Sequence, residues 1–183
     1  MYYTWDYNKL KLKKMKTINV TLYEYNELSK EAKQKVLREN ADINVFFDWW
    51  DSTYEDADNI GLKINSFEID QNKNAKGKFT ENCYTVATNI MEQHGNDCNT
   101  YKTAERFIED IKPICDFNDA TGQSEDTIAT MEEQFLKDIL SNYADILESE
   151  CKYILKDENV IATIEANEYL FLEDGTQFKT VKN

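Results

Sequence analysis

Proline and glycine are scarce in this chain: there is one proline and there are five glycines in 183 residues. Because these two residues are the strongest local breakers of regular structure, their scarcity favours helices. The chain also has no apolar run long enough to cross a bilayer and no signal peptide, so we expect a cytoplasmic protein that does not enter membranes. The four cysteines form no paired framework, which is typical of a reducing compartment. They are Cys83, Cys98, Cys115 and Cys151.

Positive charge is the second scarcity. The chain has 21 Lys and Arg residues against 35 Asp and Glu residues, which gives a formal net charge of −14. Because nucleic-acid binding requires a surface lined by cations, we do not expect nucleic acid to be a direct partner. A basic protein surface is the natural target of such an acidic chain.

Length and composition predict one globular domain. Apolar residues make up 41% of the 183, enough for a sizeable core. Residues 1–16 differ from the rest, because they contain five Lys and one Asp. We therefore divide the chain into a basic N-terminal extension, 1–16, and a single domain, 17–183. The extension is expected to be either flexible or an arm that lies on the acidic body or on a partner.

The stretch from Asp42 to Gly61 combines large aromatic residues with acids. Its apolar residues recur at the spacing of one helix face, which predicts a single helix over 43–60 that buries Phe46, Phe47 and Trp50. The apolar positions are Ile43, Phe46, Phe47, Trp50, Tyr54 and Ala57. Gly61 is the expected residue just past the helix end.

A row of carboxylates follows the other side of this predicted helix, at Asp48, Asp51, Glu55 and Asp58. Six acids and no base lie between Asp42 and Asp58. Such a row is commonly a solvated face, but mutual repulsion favours a functional reason for it. The functional hypothesis is a partner-binding surface made of these four acids and Trp49, which projects off the apolar positions. The alternative is a metal-dependent hydrolase that uses Asp48, Asp51 or Glu55.

The remaining patterns predict an α+β fold, in which about five helices pack on a small, mainly antiparallel sheet of N-terminal, central and C-terminal strands. Strands are expected at 18–23, 62–69, 160–167, 169–172 and 176–181, with a hairpin turn at Asp174-Gly175. Helices are expected from Ser29 to about Asn40, at 84–94, at 101–111 with a stop at Pro113, and from Ser124 onward with a break near Ser149. The segment from Glu125 to Glu158 holds ten acids and three lysines, a second acidic surface.

Two short motifs suggest metal or nucleophile chemistry. Asp70, Asn72, Asn74 and Glu81 match four positions of a calcium loop, but Ala75 replaces the required glycine and three lysines oppose a dication. The preferred interpretation is a polar β-turn. His94 and Cys98 are four residues apart, as in a zinc site or a Cys–His pair, yet no further ligands surround them in the sequence. We therefore predict no metal, no cofactor and no catalytic residue.

Several pieces of the chain carry a family resemblance. They are YEYNELSKEAKQKVLREN, DWWDSTYEDADNIGLKI, KGKF, HGNDC with TYKTAERF, and IEANEYLFLEDGTQF. They resemble a family of small acidic proteins encoded by bacteriophages, prophages and other mobile elements. The resemblance runs, with gaps, from about Thr17 to Phe178 and leaves residues 1–16 outside. It implies a phage-type protein that acts in the cytoplasm of a bacterial host, where small acidic proteins often inhibit host defence, anti-CRISPR proteins among them. It implies no enzymatic residues.

Charge and resemblance together predict a non-enzymatic inhibitor. Its acidic surface would mimic nucleic acid and bind the nucleic-acid-binding surface of a bacterial defence effector, for which a CRISPR–Cas effector nuclease is the example. Asp48, Trp49, Asp51, Glu55 and Asp58 are the residues predicted to make that contact, in a monomer or a dimer. The alternatives are the metal-dependent hydrolase and an antitoxin-like or structural binding module.

Overall fold

The computed structural model describes residues 18–116 and 123–179. In that part, six α-helices accompany two antiparallel strands, which confirms the predicted α+β class. The elements are α1 Lys30–Glu39, α2 Asp51–Asn59, β1 Leu62–Glu68, β2 Asn74–Phe79, α3 Cys83–Gln93, α4 Asn99–Asp116, α5 Gln123–Ile154 and α6 Asp157–Ala166. The basic extension, 1–16, lies outside the described residues. None of the described helices carries an apolar stretch long enough to cross a membrane.

Chain contacts divide the described residues into two compact units, one formed by 18–39 with 164–179 and the other by 40–163. In the larger unit, β1 and β2 form a hairpin in which Leu62 lies opposite Phe79 and Glu68 lies opposite Asn74. Helices α3, α4 and α5 bury apolar residues with this hairpin. The Phe107 and Phe135 rings stack at 4.3 Å between centroids, joining α4 to α5.

Two local signals place the start of this unit's hairpin correctly. Gly61 follows α2 with a φ of +89°, a left-handed conformation that suits glycine. Leu62 and Ile64 then alternate inward along β1, as the pattern predicted.

The sequence prediction of a stop at Pro113 is wrong, because α4 continues to Asp116. Both Pro113 and Glu109 are exposed, so water can satisfy the carbonyl that loses its amide donor.

The smaller unit joins α1 to the C-terminal turn. Ser29 caps α1 through a 3.2 Å hydrogen bond from the Ala32 amide, as its position predicted. Gly175, with a φ of +81°, lies so close to α1 that an added Cβ would be 2.7 Å from the Ala32 carbonyl oxygen. Lys35 then pairs with Asp174 at 3.0 Å.

The terminal strands of the predicted sheet are reduced to single bridges. Tyr23 and Phe171 exchange two backbone hydrogen bonds of 2.9 Å, and Phe171 also bridges to Gln177. Ile18 and Val20, predicted to be half-buried in a strand, are 79% and 48% exposed.

The run at 160–167, predicted to be a strand, lies largely in α6, which ends at Ala166. Val160 and Ile164 are buried at the i, i+4 spacing of a helix, and Asp157 and Glu158 favour the helix N-terminus. Tertiary burial thus overrides the strand preference of its β-branched residues.

Candidate interaction surface

The segment before α2 is not an α-helix. A short 3₁₀ turn covers Ile43–Val45, the backbone bends through 46–50, and α2 begins only at Asp51. Phe46 is 78% exposed and Phe47 is 60% exposed, so the prediction that a helix over 43–60 buries them is wrong. We call residues 42–58 the aromatic–acidic segment.

A buried asparagine explains why the helical pattern fails here. Asn44 is 93% buried, and its side-chain amide donates a 2.8 Å hydrogen bond to the Ile154 carbonyl, at the C-terminus of α5. It also accepts a 2.7 Å hydrogen bond from the Thr163 hydroxyl. The last carbonyls of a helix have no intrahelical donor, so Asn44 satisfies one of them. This anchor directs the polar Asn44 inward and leaves the two phenylalanines at the surface.

Trp49 belongs to an aromatic cluster instead of standing free. Its ring lies 5.5 Å from Trp50 and 5.7 Å from Phe67, both edge to face. Trp50 and Tyr54 also contact Phe67 edge to face, at 5.4 Å and 6.2 Å. Such pairs add stability beyond the area they bury. Trp49 is therefore held partly buried against β1, which leaves Phe46 and Phe47 as the exposed aromatic residues of the segment.

The predicted carboxylates lie in two different local structures. Asp51, Glu55 and Asp58 share α2, whereas Asp48 lies in the bend before it. All four are exposed, and so is Asp42. None of these five acids forms an ion pair or a side-chain hydrogen bond with a described residue. The segment therefore presents carboxylates whose charge nothing in the described chain balances.

The second predicted acidic surface, on α5, differs in this respect. Lys73, in the turn between β1 and β2, lies 2.5 Å from Asp145 and 3.1 Å from Glu148. Lys152 pairs with Glu148 at 2.7 Å. These lysines, Lys152 first, hold the pKa of Glu148 below its ordinary value. The central part of α5 is thus partly neutralised within the protein, and the aromatic–acidic segment is the better candidate for a partner.

The sixth acid of the segment, Asp56, belongs to a polar network that sequence reasoning missed. Asp56 Oδ2 accepts a 2.7 Å hydrogen bond from the hydroxyl of Tyr143, a fully buried residue of α5. His94 Nε2 lies 3.5 Å from Asp56 Oδ1, and His94 Nδ1 lies 2.7 Å from Thr100 Oγ1. The facing His94 ring and the Tyr143 hydroxyl lower the pKa of Asp56, and partial burial opposes them. No local motif marks these residues, because they come from four separate helices or helix ends.

This network does not have the geometry of a nucleophilic site. Thr100 is only 3% exposed, so its hydroxyl is not open to a substrate. His94 Nε2 is buried and lacks a hydrogen-bond partner among the described residues, since its 3.5 Å approach to Asp56 is an ion-pair distance and not a hydrogen bond. The arrangement links α2, α4 and α5 to the end of α3. We interpret it as a structural contact between helices.

The two short motifs are not assembled into metal sites. Asp70 lies at the tip of the β-hairpin, whereas Glu81 lies beyond its other end, past Phe79. A hairpin of six residue pairs is about 20 Å long, so these two carboxylates cannot share a calcium ion. Among the described residues, no three His, Cys, Asp or Glu side chains group closely enough to hold a metal.

The hydrolase hypothesis also meets a geometric obstacle. From Asp51 to Asp58, α2 rises about 10 Å, which spreads its carboxylates along the helix instead of converging them. Two described cysteines are poor nucleophile candidates. Burial, with the nearby Glu132, raises the pKa of Cys83 to about 11, and burial also raises the pKa of Cys151. A thiol of raised pKa is weakly reactive at neutral pH.

No protein-family model, curated protein or solved structure matches this chain. The assignment of a function therefore depends on the geometry and charge of the residues themselves.

Proposed function

We propose that this protein is a non-enzymatic inhibitor that binds the basic, nucleic-acid-binding surface of a bacterial defence effector, such as a CRISPR–Cas nuclease. The aromatic–acidic segment is the contact surface, and its carboxylates take the place of nucleic-acid phosphates. The observation that carries this proposal is the set of five exposed acids without a described counter-charge. The resemblance to phage-encoded acidic proteins supplies the biological setting.

The charge of the larger unit supports the choice of a basic partner. Residues 40–163 contain 26 Asp and Glu against 10 Lys and Arg, so the sequence of this unit is strongly anionic. Such a surface repels nucleic acid and anionic membranes and attracts cationic protein surfaces. Complementary charge of this kind accelerates association and selects the partner.

The position of Asp58 on α2 supports a role in binding a partner, because it does not stabilise the helix. The C-terminal end of a helix carries partial negative charge, which disfavours acids there. Asp56 and Asp58 nevertheless occupy the last turn of α2, and no base occupies that turn. Asp56 has internal partners, whereas Asp58 has none among the described residues. The placement of Asp58 costs helix stability, and a partner that supplies positive charge would offset that cost.

The test begins with affinity capture from a bacterial lysate, followed by association measurements with the purified partner. We expect Asp48→Lys, Asp51→Lys and Glu55→Lys together to slow association strongly while lowering the thermal midpoint only slightly, because all three are exposed and only Asp51 lies in the first turn of a helix. Raising the salt from about 0.1 M to about 1 M shortens the screening length from about 10 Å to about 3 Å and should weaken the complex. Nucleic acid should compete for the same partner.

The matched control reverses three exposed acids elsewhere in the same unit: Glu92→Lys, Glu105→Lys and Glu109→Lys. It changes the net charge by the same amount and should slow association less. A complex that forms equally well at high salt, with nucleic acid bound and with the segment's charges reversed would show that the acidity serves solubility alone.

A further inference from the structure

The two exposed phenylalanines are the feature that the electrostatic proposal leaves unexplained. Phe46 and Phe47 are adjacent and are 78% and 60% exposed. A phenylalanine side chain carries a large apolar area, and removing that area from water is favourable. We call these two exposed side chains, which are neighbours in the sequence, the apolar patch, and exposed apolar area of this kind is typical of a binding surface.

The backbone that carries this patch is held in place. Asn44 is anchored to the end of α5 and to Thr163 by two hydrogen bonds of 2.8 Å and 2.7 Å. Backbone turns then close on both sides of the pair, with Val45 N–Asp42 O at 3.0 Å and Trp49 N–Phe47 O at 2.7 Å. A surface that is already ordered loses little conformational entropy when it binds. The patch is therefore preorganised for a partner.

The negative charges beside the two phenylalanines determine which kind of partner the patch can bind. Asp42, Asp48 and Asp51 surround the pair in sequence, and none of them is paired with a described residue. A second copy of this surface would bring like charges together, and an anionic lipid or nucleic acid would be repelled. A cationic protein surface is attracted by the acids and can also contact the rings through cation–π interactions.

Arginine suits this combination better than lysine does. Its planar guanidinium stacks on aromatic faces and pairs with carboxylates through two hydrogen bonds, whereas an ammonium is a compact, strongly hydrated charge. We infer that Phe46 and Phe47, with the acids beside them, form the anchor site for arginine side chains of the basic partner, and that Trp49 is not the anchor. This inference rests on the proposed function and names the contact that gives it specificity.

The test uses two short fluorescein-labelled peptides in which serine alternates with arginine or with lysine, read by fluorescence anisotropy. The full chain should bind the arginine peptide severalfold more tightly, because a guanidinium stacks on the rings and pairs with carboxylates better than an ammonium does. The double variant Phe46→Ser, Phe47→Ser should bind both peptides more weakly and lose most of the preference for arginine, because only the pairing of the guanidinium with the acids remains. Tyr84→Ser, which removes a tyrosine on α3 that is 60% exposed, should leave the preference unchanged.

Three further outcomes separate this inference from the proposed function. If the double variant, or Phe46→Ser alone, keeps the full arginine preference, the anchor site is wrong and the electrostatic proposal stands. If Asp48→Asn, Asp51→Asn and Glu55→Gln together leave binding of both peptides unchanged, the electrostatic proposal itself fails. If sedimentation shows a dimer that the double serine variant dissociates, the patch contacts a second copy and the inference is overturned.

Discussion

The hydrogen bond from Tyr143 to Asp56 gives the most direct test of the interior. Tyr143→Phe removes one hydroxyl from a fully buried ring and leaves the ring's packing in place. Asp56 then loses the 2.7 Å donor to its Oδ2 atom. The substitution therefore isolates a polar contact between α2 and α5 from the apolar packing around it.

The expected loss of unfolding free energy follows from the burial of Tyr143 and the partial exposure of Asp56. A hydrogen bond to a charged group contributes about 1.5–3 kcal/mol to stability. The Asp56 side chain is 50% exposed, so water can replace part of what the hydroxyl provided. We therefore expect the variant to lose about 1–2 kcal/mol. In urea this corresponds to a midpoint lower by about 0.5 M, for a slope of about 2–3 kcal/mol per molar.

The loss should depend on pH in a defined direction. The pKa of Asp56 is lowered from 3.8 in the folded protein, by the His94 ring first and by the Tyr143 hydroxyl after it. The stability it contributes is present above pH 3.8 and is lost as the pH falls through the lowered pKa. Burial, and then Asp56, raise the pKa of Tyr143 above its ordinary 10.0, so that contribution is present below pH 10 and falls as the pH rises further. The difference in unfolding free energy between wild type and variant should be largest between pH 3.8 and pH 10.

Urea unfolding at several pH values, followed by tryptophan fluorescence, measures this gap. Trp49 and Trp50 lie in the same unit as Tyr143 and report on its unfolding. Tyr84→Phe, at a tyrosine that is 60% exposed, is the matched control and should stay within about 0.5 kcal/mol of wild type. A Tyr143→Phe variant as stable as wild type at neutral pH, or one with a pH-independent deficit from pH 2 to 11, would refute the argument.

Two further predictions concern packing and backbone geometry. Phe135→Ala should lower the free energy of unfolding in urea by about 3–5 kcal/mol, because the ring is 3% exposed and stacks on Phe107. Phe47→Ala should lower it by less than about 1 kcal/mol, because that ring is 60% exposed. Equal urea midpoints for the two variants would contradict the described core. Gly175→Ala should lower the thermal midpoint by several degrees, because an added Cβ would lie 2.7 Å from a carbonyl oxygen of α1 at a φ of +81°. Gly95→Ala is its control, because the added Cβ would lie no closer than 3.9 Å to any atom beyond its chain neighbours. A similar midpoint for both variants would show that the turn does not pack on α1.

Sequence patterns predicted elements whose signals are local. The cap at Ser29, the glycine after α2 and the alternation along β1 each depend on residues within a few positions, and each is confirmed. The class of fold follows from the same signals. Contacts between distant residues could not be predicted in this way. The partners of Asp56, for example, are 38 and 87 positions away in the sequence and share no motif with it.

The same limit explains the wrong prediction for the aromatic–acidic segment. Its apolar residues do recur at helical spacing, but this spacing does not show whether the Asn44 amide or the two phenyl rings will be buried. Asn44 gains two hydrogen bonds from distant residues, Ile154 and Thr163, and the chain turns to make them. The sequence shows that Asn44 interrupts an apolar face. It does not show which carbonyl at the end of α5 lacks a hydrogen-bond donor within the helix.

The structure changes what the segment's residue types imply about function. A helix that buried Phe46 and Phe47 would leave the acids as an ordinary solvated face. Instead, exposed rings and carboxylates that have no partner among the described residues occur in one short segment. The rings are unfavourable there because they are hydrated, and the acids because they repel one another. The proposed cationic partner would relieve both at once, since its positive charge would balance the carboxylates and its side-chain stems would cover the rings. We therefore expect Phe46→Ser, Phe47→Ser and neutralisation of Asp48 and Asp51 to weaken binding by less in combination than the sum of their separate effects. A double-mutant cycle that gives strictly additive losses would instead assign the rings and the acids to separate contacts.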